Sequence, residues 1–182
     1  MLYVDAHKYP VSKEIVQEAT RLKDLALHET HTYDGWNPAK LELRLMIGYT
    51  AECWIADRLR KEHGLIVEHP DPSGPQGDEY DLKIGRILVD VKTTCTFDIP
   101  PRVNSSRTES IHVDWYIFTR VDIRFKWLQI LGVAPRGMVA RPENLVGHGK
   151  MIPGTRKAEF FRHGSYYPPS LLEWEKFLEV FK

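Results

Sequence analysis

The sequence predicts an α/β domain in which helices flank one central mixed sheet of about five strands. Segments with apolar residues at helical spacing lie at both ends of the chain, and short apolar or alternating segments separated by turn residues lie between them. The resulting order of two helices, five strands and one helix is typical of an α/β fold with a single sheet. The length of 182 residues suits one domain that buries its own core, which we assign to residues 1–182.

Capping residues mark the predicted helices. Ser12 can cap a first helix, and Asn37-Pro38 combines a capping side chain with a proline at the first helical position. The second helix should run to about His63, where Gly64 can terminate it. Ser170 can cap a final amphipathic helix.

Five segments between these helices have the composition of β-strands. They are residues 65–69, 78–85, 86–94, 114–122 and 127–134. Residues 70–77 are rich in proline and glycine and predict a loop, and residues 142–169 are expected to be mostly loop for the same reason.

Composition and charge exclude several classes of protein. The apolar fraction of 42% and the charged fraction of 27% rule out a disordered or collagen-like chain, and two cysteines cannot form a disulfide framework. The longest stretch without acidic residues, lysine or arginine is residues 163–172, which is too short for a membrane span. The start of the chain has no signal-peptide pattern. We therefore expect a cytoplasmic protein with no membrane partner. The net charge of zero combines −6 in residues 1–81 (9 basic, 15 acidic) with +6 in residues 82–182 (16 basic, 10 acidic), so it does not exclude a nucleic-acid partner.

The most informative segment is the predicted hairpin formed by residues 79–92. Glycine suits the first central position of a type II′ turn, so Gly85-Arg86 is interpreted as a two-residue turn. The register that follows places Tyr80/Val91, Leu82/Val89 and Ile84/Ile87 on one apolar face and Glu79/Lys92, Asp81/Asp90 and Lys83/Leu88 on the other. Two carboxylates directly across a ladder, with Cβ atoms roughly 4.5–5.5 Å apart, repel each other.

A divalent cation between Asp81 and Asp90 would turn this repulsion into a set of ligands, and hard oxygen ligands suit Mg²⁺ or Mn²⁺. Lys92 projects from the same face, where an ammonium can orient a water or stabilise charge on a phosphate. A simpler interpretation is a solvated strand face with a surface ion pair. That interpretation is preferred for any one of these residues alone, whereas the three together favour a functional site.

Glu52 lies in the middle of an apolar stripe on the second predicted helix. A charge in such a position needs a partner because burying it alone is costly. The partner is either the same functional site or a buried arginine or lysine, and both alternatives stay open at this point.

The pattern Gly48-x-x-x-Glu52-x-x-Ile55-Ala56, followed by Asp81 and by Asp90-Val91-Lys92, resembles the PD-(D/E)XK nuclease superfamily. Members of that superfamily share a metal-dependent phosphodiesterase site on a restriction-endonuclease-like core. The resemblance covers residues 38–134 and implies that Asp81 and Asp90 bind a catalytic Mg²⁺, with Glu52 as a further ligand, directly or through water. It also implies that the carbonyl of Val91 completes the coordination and that Lys92 is the motif lysine. Tyr80 replaces the usual proline, and no Gln-x-x-x-Tyr follows Lys92, which argues against the iron–sulfur and RecB-like branches.

These observations together predict a Mg²⁺-dependent nuclease, with Mn²⁺ as a substitute metal. Lys92 would position a hydrolytic water for attack on a phosphodiester. The resemblance favours an endonuclease that acts on DNA, RNA is not excluded, and a homodimer stays open as the assembly. The alternatives are a catalytically inactive nucleic-acid-binding module that retains the nuclease fold and a metal-binding structural domain.

Two basic segments are candidates for contact with nucleic acid. The first is an alternating row, Arg120, Asp122, Arg124 and Lys126, which either follows a phosphate backbone or is the solvated face of an edge strand. The second is the glycine- and proline-rich loop, with His148, Lys150, Arg156, Lys157, Arg162 and His163.

Overall fold

The computed structural model describes residues 7–29, 37–72, 79–97, 102–105, 108, 112–153, 155, 157–159, 164–168 and 170–182. The strands are β1 (Tyr9–Pro10), β2 (Val67–Glu68), β3 (Leu82–Ile84), β4 (Ile87–Thr94), β5 (Val103–Asn104), β6 (Trp115–Val121), β7 (Trp127–Pro135), β8 (Leu145–Val146) and β9 (Ser165–Tyr166). The helices are α1 (Lys13–Glu29), α2 (Pro38–His63), α3 (Arg136–Val139) and α4 (Trp174–Leu178), and 3₁₀ turns span Pro142–Asn144 and Glu179–Phe181.

The chain folds as an α/β structure around a mixed sheet. The described strands of this sheet follow the order β1-β7-β6-β4-β3-β2, and β5, β9 and β8 form a separate three-stranded sheet. Among the described strands of the large sheet, only β4 and β6 pair in parallel, and the other pairs are antiparallel. The prediction of about five strands is corrected to six, because Tyr9–Pro10 adds a short edge strand beside β7.

The predicted starts of α1 and α2 are confirmed by their caps. The hydroxyl of Ser12 accepts a hydrogen bond from the Ile15 N–H at 3.4 Å, and the side chain of Asn37 accepts one from the Lys40 N–H at 3.3 Å. Gly64 ends α2 with a φ of 65°, a left-handed conformation that glycine adopts without steric cost. The caps therefore fix the ends of the helix that carries Glu52.

The final helix is shorter than predicted and starts later. Residue Leu172 exchanges backbone hydrogen bonds with Val133 of β7, so the segment that Ser170 was expected to cap is extended. The helix begins only at Trp174. This extended segment passes close to Gly132, where a Cβ atom would lie 2.5 Å from the Cβ of Leu171. The predicted loop at 142–169 likewise contains β8, β9 and a bridge between Met151 and Ala158.

Two apolar cores lie on opposite faces of the large sheet. The larger core joins the sheet to α1, α2 and α4 and includes Val89, Val91 and Ile117. The second core includes Tyr116 and Phe118, which alternate with Ile117 along β6. Because β4 lies inside the sheet between β3 and β6, its side chains are held from both sides. Among the described residues, none of the helices is long and apolar enough to cross a membrane.

Candidate active site

The hairpin of β3 and β4 has the predicted register over the three residue pairs nearest the turn. Leu82 pairs with Val89, Lys83 with Leu88, and Ile84 with Ile87. Gly85 has a positive φ of 61°, whereas the φ of Arg86 is not positive. A type II′ turn has these signs at its two central positions. The turn residues therefore set the register as expected from the sequence.

The ladder becomes irregular at Asp81, one residue before β3. The Asp81 N–H donates to the carbonyl of Val89 at 3.0 Å, and the Asp81 carboxylate accepts a hydrogen bond from the Val91 N–H at 2.6 Å. The predicted pairing of Tyr80 with Val91 is wrong for this reason. Tyr80 packs in the second core, whereas Val91 packs in the first.

Asp90 and Lys92 form a partly buried ion pair. The Lys92 Nζ lies 2.5 Å from an Asp90 carboxylate oxygen, and the two side chains are 18% and 12% exposed. The simpler interpretation of a solvated strand face is wrong for Asp90, which is buried. The predicted ladder pairs Asp81/Asp90 and Glu79/Lys92 do not form, because the regular ladder starts at Leu82.

Glu52 is buried on α2, and its partner is a histidine. Its Oε2 lies 2.9 Å from Nε2 of His69, which follows β2. The alternative that Glu52 pairs with a buried arginine or lysine is therefore not what the structure has. A Cβ atom on Gly48 would lie 3.5 Å from Glu52 Oε1, so the glycine one turn earlier leaves room beside this carboxylate. No spacing signal in the sequence singles out His69, because the chain reversal at Gly64 is what brings it back to α2.

Asp81 is electrostatically close to the other two acids, Glu52 and Asp90. The pKa of the Asp81 carboxyl is raised well above its usual range, mainly by burial and then by the negative charges of Glu52 and Asp90. Lys92 acts in the opposite direction, and the carboxyl groups of Asp81 and Asp90 are within hydrogen-bonding reach of each other. Asp81 thus links the other three residues electrostatically, and Glu52, Asp81, Asp90 and Lys92 are called the acid–lysine cluster below.

The side chains of the acid–lysine cluster are not arranged as a set of metal ligands. Over the part of the chain that the structure describes, no three acidic, histidine or cysteine side chains form a group that could hold a metal ion. The carboxylates instead contact protein groups: Glu52 contacts His69, Asp81 the Val91 N–H, and Asp90 Lys92. A cation could bind here only if the carboxylates replaced these contacts with protein groups by contacts with the cation.

The predicted basic row does not form a surface strand. Arg120 is only 3% exposed, and its guanidinium donates to the Thr96 carbonyl and to Gln129, both at 3.2 Å. Both interpretations of the row are wrong for Arg120, because β6 lies between β4 and β7 and has no free edge. Arg124 and Lys126 are exposed in the turn that follows.

The basic loop is described only in part. His148, Lys150 and Lys157 are exposed, and Arg156, Arg162 and His163 lie outside the described residues. Thr93, which follows Lys92, bonds with the hydroxyl of Thr119 on β6 at 2.9 Å, so this side chain joins two neighbouring strands.

Comparisons with protein-family models, with curated proteins and with solved structures found no match to this chain.

Proposed function

We propose that this protein is a metal-dependent phosphodiester hydrolase, an endonuclease whose preferred substrate is DNA. The observation that carries the proposal is the acid–lysine cluster, in which three acids share one partly buried region with a single lysine. Like charges in such a place are unfavourable for stability, and strongly perturbed carboxyl pKa values concentrate at functional sites. The sequence pattern that resembles the PD-(D/E)XK superfamily falls on the same residues.

The chemistry of the acids fits a hard divalent cation. The raised pKa of Asp81 means that burial and two neighbouring acids disfavour its charged form, and either a proton or a cation can relieve this. Asp81, Asp90 and Glu52, with the Val91 carbonyl, are the groups that would hold Mg²⁺ or Mn²⁺. When bound there, such an ion would supply Lewis-acid stabilisation of charge on a phosphate and a more acidic water.

The residues of the chain have separable roles in this proposal. Lys92 carries the positive charge that can orient an attacking water or stabilise charge developing on the phosphate. Asp90 holds the Lys92 ammonium in place at 2.5 Å. His69 holds the Glu52 carboxylate, and the Val91 N–H holds that of Asp81, so the acids are oriented by groups outside the cluster.

The second candidate is a nucleic-acid-binding module that has the same fold and no catalytic activity. It is favoured by one observation, the absence of a preformed group of three metal-binding side chains among the described residues. In that case Lys92 would serve only as a permanent counter-charge for Asp90.

A cleavage assay separates the two candidates. The protein is incubated with supercoiled, linear, nicked and branched DNA, and with single-stranded DNA and RNA, in Mg²⁺, in Mn²⁺ or in EDTA. The proposal predicts cleavage that needs the metal and that is lost in Asp90→Ala and in Lys92→Ala while binding persists. Lys83→Ala is the matched control, because Lys83 lies on the same hairpin and pairs with Glu68 outside the cluster. Binding without cleavage of any substrate would favour the inactive module.

A further inference from the structure

Phe97 is an exposed aromatic residue at the end of the strand that carries Asp90 and Lys92. It lies three residues beyond β4 and is 67% exposed. An extended chain rises by at most about 3.6 Å per residue, so the Cα atoms of Lys92 and Phe97 lie within about 18 Å of each other. Phe97 is thus exposed to solvent for most of its surface, at a distance from the acid–lysine cluster that a bound nucleic-acid strand of a few nucleotides can span.

The ring is held in a defined place by its neighbours. The guanidinium carbon of Arg120 lies 4.2 Å from the centroid of the Phe97 ring, and the centroid of the Trp127 ring lies 6.3 Å away. Arg120 also donates to the carbonyl of Thr96, and the Thr96 N–H donates to the hydroxyl of Thr94. The backbone just before Phe97 is thus anchored to two strands of the sheet.

Exposed Lys8 lies at this aromatic group, and buried Arg120 supports the Phe97 ring from the protein side. Lys8 Nζ lies 4.4 Å from the centroid of the Trp127 ring, and Arg120 lies at Phe97. Exposed Lys126 directly precedes Trp127 in the chain. Aromatic rings combined with basic side chains are the arrangement that binds unpaired nucleotides, because every base can stack on a ring while cations contact the phosphates.

We propose that Phe97, supported by Trp127 and Arg120, is a stacking site for an unpaired base of the nucleic acid bound at the acid–lysine cluster. This inference rests on the proposed function, because it takes the substrate to be a nucleic acid. It adds the substrate class: a strand with an unstacked base near the scissile phosphate, such as single-stranded DNA or a frayed end. A fully paired duplex keeps its bases stacked and cannot use the ring.

The test measures binding in EDTA, so that no cleavage is needed. Fluorescence anisotropy is recorded for a labelled single-stranded oligonucleotide and for the matching duplex, with wild type, Phe97→Leu, Phe97→Trp and Ile123→Ala. Ile123 is the matched control, because it is 57% exposed in a neighbouring turn. Loss of one stacked base weakens binding by about 5- to 150-fold, so we expect this loss for Phe97→Leu on the single strand only. Phe97→Trp and Ile123→Ala should bind as wild type does.

Three results would overturn the inference: equal binding of the single strand by Phe97→Leu and wild type, an equal loss for single strand and duplex, or no oligonucleotide binding by wild type. These results are distinct from failure of the proposed function. Loss of stacking with metal-dependent cleavage intact removes only this inference. Binding of the single strand that depends on Phe97, without cleavage of any substrate, removes only the catalytic proposal.

Discussion

Neutralising Lys92 should destabilise the metal-free protein far more than neutralising Lys83 on the same hairpin. We consider Lys92→Met and Lys83→Met, because methionine keeps an apolar stem of similar length and removes the charge. Lys92 lies 2.5 Å from Asp90 with side-chain exposures of 18% and 12%, whereas the Lys83–Glu68 pair has exposures of 35% and 57%. The two variants therefore differ mainly in the burial of the charge that is left without its partner.

The expected sizes follow from this difference in burial. Removing one partner of a buried pair costs about 3–5 kcal/mol, and we expect about 3 kcal/mol for Lys92→Met because the pair keeps some contact with water. An exposed pair contributes at most about 1 kcal/mol, which sets the limit for Lys83→Met. For a chain of this length, the melting temperature should fall by about 6–12 °C in Lys92→Met and by at most about 4 °C in Lys83→Met.

Differential scanning fluorimetry and urea unfolding in EDTA measure both variants. Excess Mg²⁺ should then restore more stability to Lys92→Met than to Lys83→Met, because a cation replaces the missing ammonium beside Asp90. The reasoning is refuted if the two variants lose the same stability in EDTA. It is also refuted if Mg²⁺ has no effect on wild type or on either variant.

Three further predictions test other parts of the account. Because the pKa of Asp81 is raised in the folded state, the folded protein holds this proton at pH values where the unfolded chain has released it, and stability falls as the pH rises through the folded-state pKa. Asp81→Asn should therefore be more stable than wild type in EDTA, by a margin that grows in urea unfolding as the pH rises from the usual carboxyl range towards the raised folded-state pKa, and a constant margin would contradict this. His69→Ala should weaken Mn²⁺ binding by about 10- to 100-fold in calorimetry, with partial rescue in His69→Gln, because Glu52 loses the group that orients it. Gly132→Ala should lower stability by about 1–3 kcal/mol, since the new Cβ meets a side-chain carbon at 2.5 Å. Gly137→Ala should not lower stability, because no atom lies within 4 Å of its new Cβ. Equal stability of the two variants would contradict the packing described.

The parts of the fold that local chemistry determines are predicted well from the sequence. The caps at Ser12 and Asn37 and the terminator Gly64 act over three or four residues, and the structure has them where they were expected. The turn at Gly85-Arg86 sets the pairing of the next three residues on each side in the same way. In each case the determining interaction is close in sequence.

The errors come from contacts between distant segments. Nothing near Leu172 indicates that it will bond with Val133, so the final helix was predicted to start too early. The alternation of Arg120 with acidic and basic residues resembles a surface strand, but Arg120 is buried in contact with Gln129 and the Phe97 ring. Short edge strands such as Tyr9–Pro10 form only because a partner strand is already in place.

The sequence pattern points to residues that lie in one region of the structure, but it does not predict the contacts that they make there. The pattern of apolar residues predicts the hairpin and the face of α2. These two elements carry Glu52, Asp81, Asp90 and Lys92. The departure of Asp81 from the ladder and the contact of Glu52 with His69 depend on the path of the chain after α2. Such a path is not encoded in residue spacing.

Cleavage of supercoiled plasmid DNA by Asp81→Asn tests the central claim most directly. If the acids of the cluster serve hydrolysis at the expense of stability, this variant should be at least as stable as wild type and yet cleave about 100-fold or more slowly in Mg²⁺. Wild type and Lys83→Met should cleave in Mg²⁺ and stop in EDTA. Cleavage by Asp81→Asn at the wild-type rate, or a wild-type protein that cleaves neither the plasmid nor single-stranded DNA in Mg²⁺, would contradict the account.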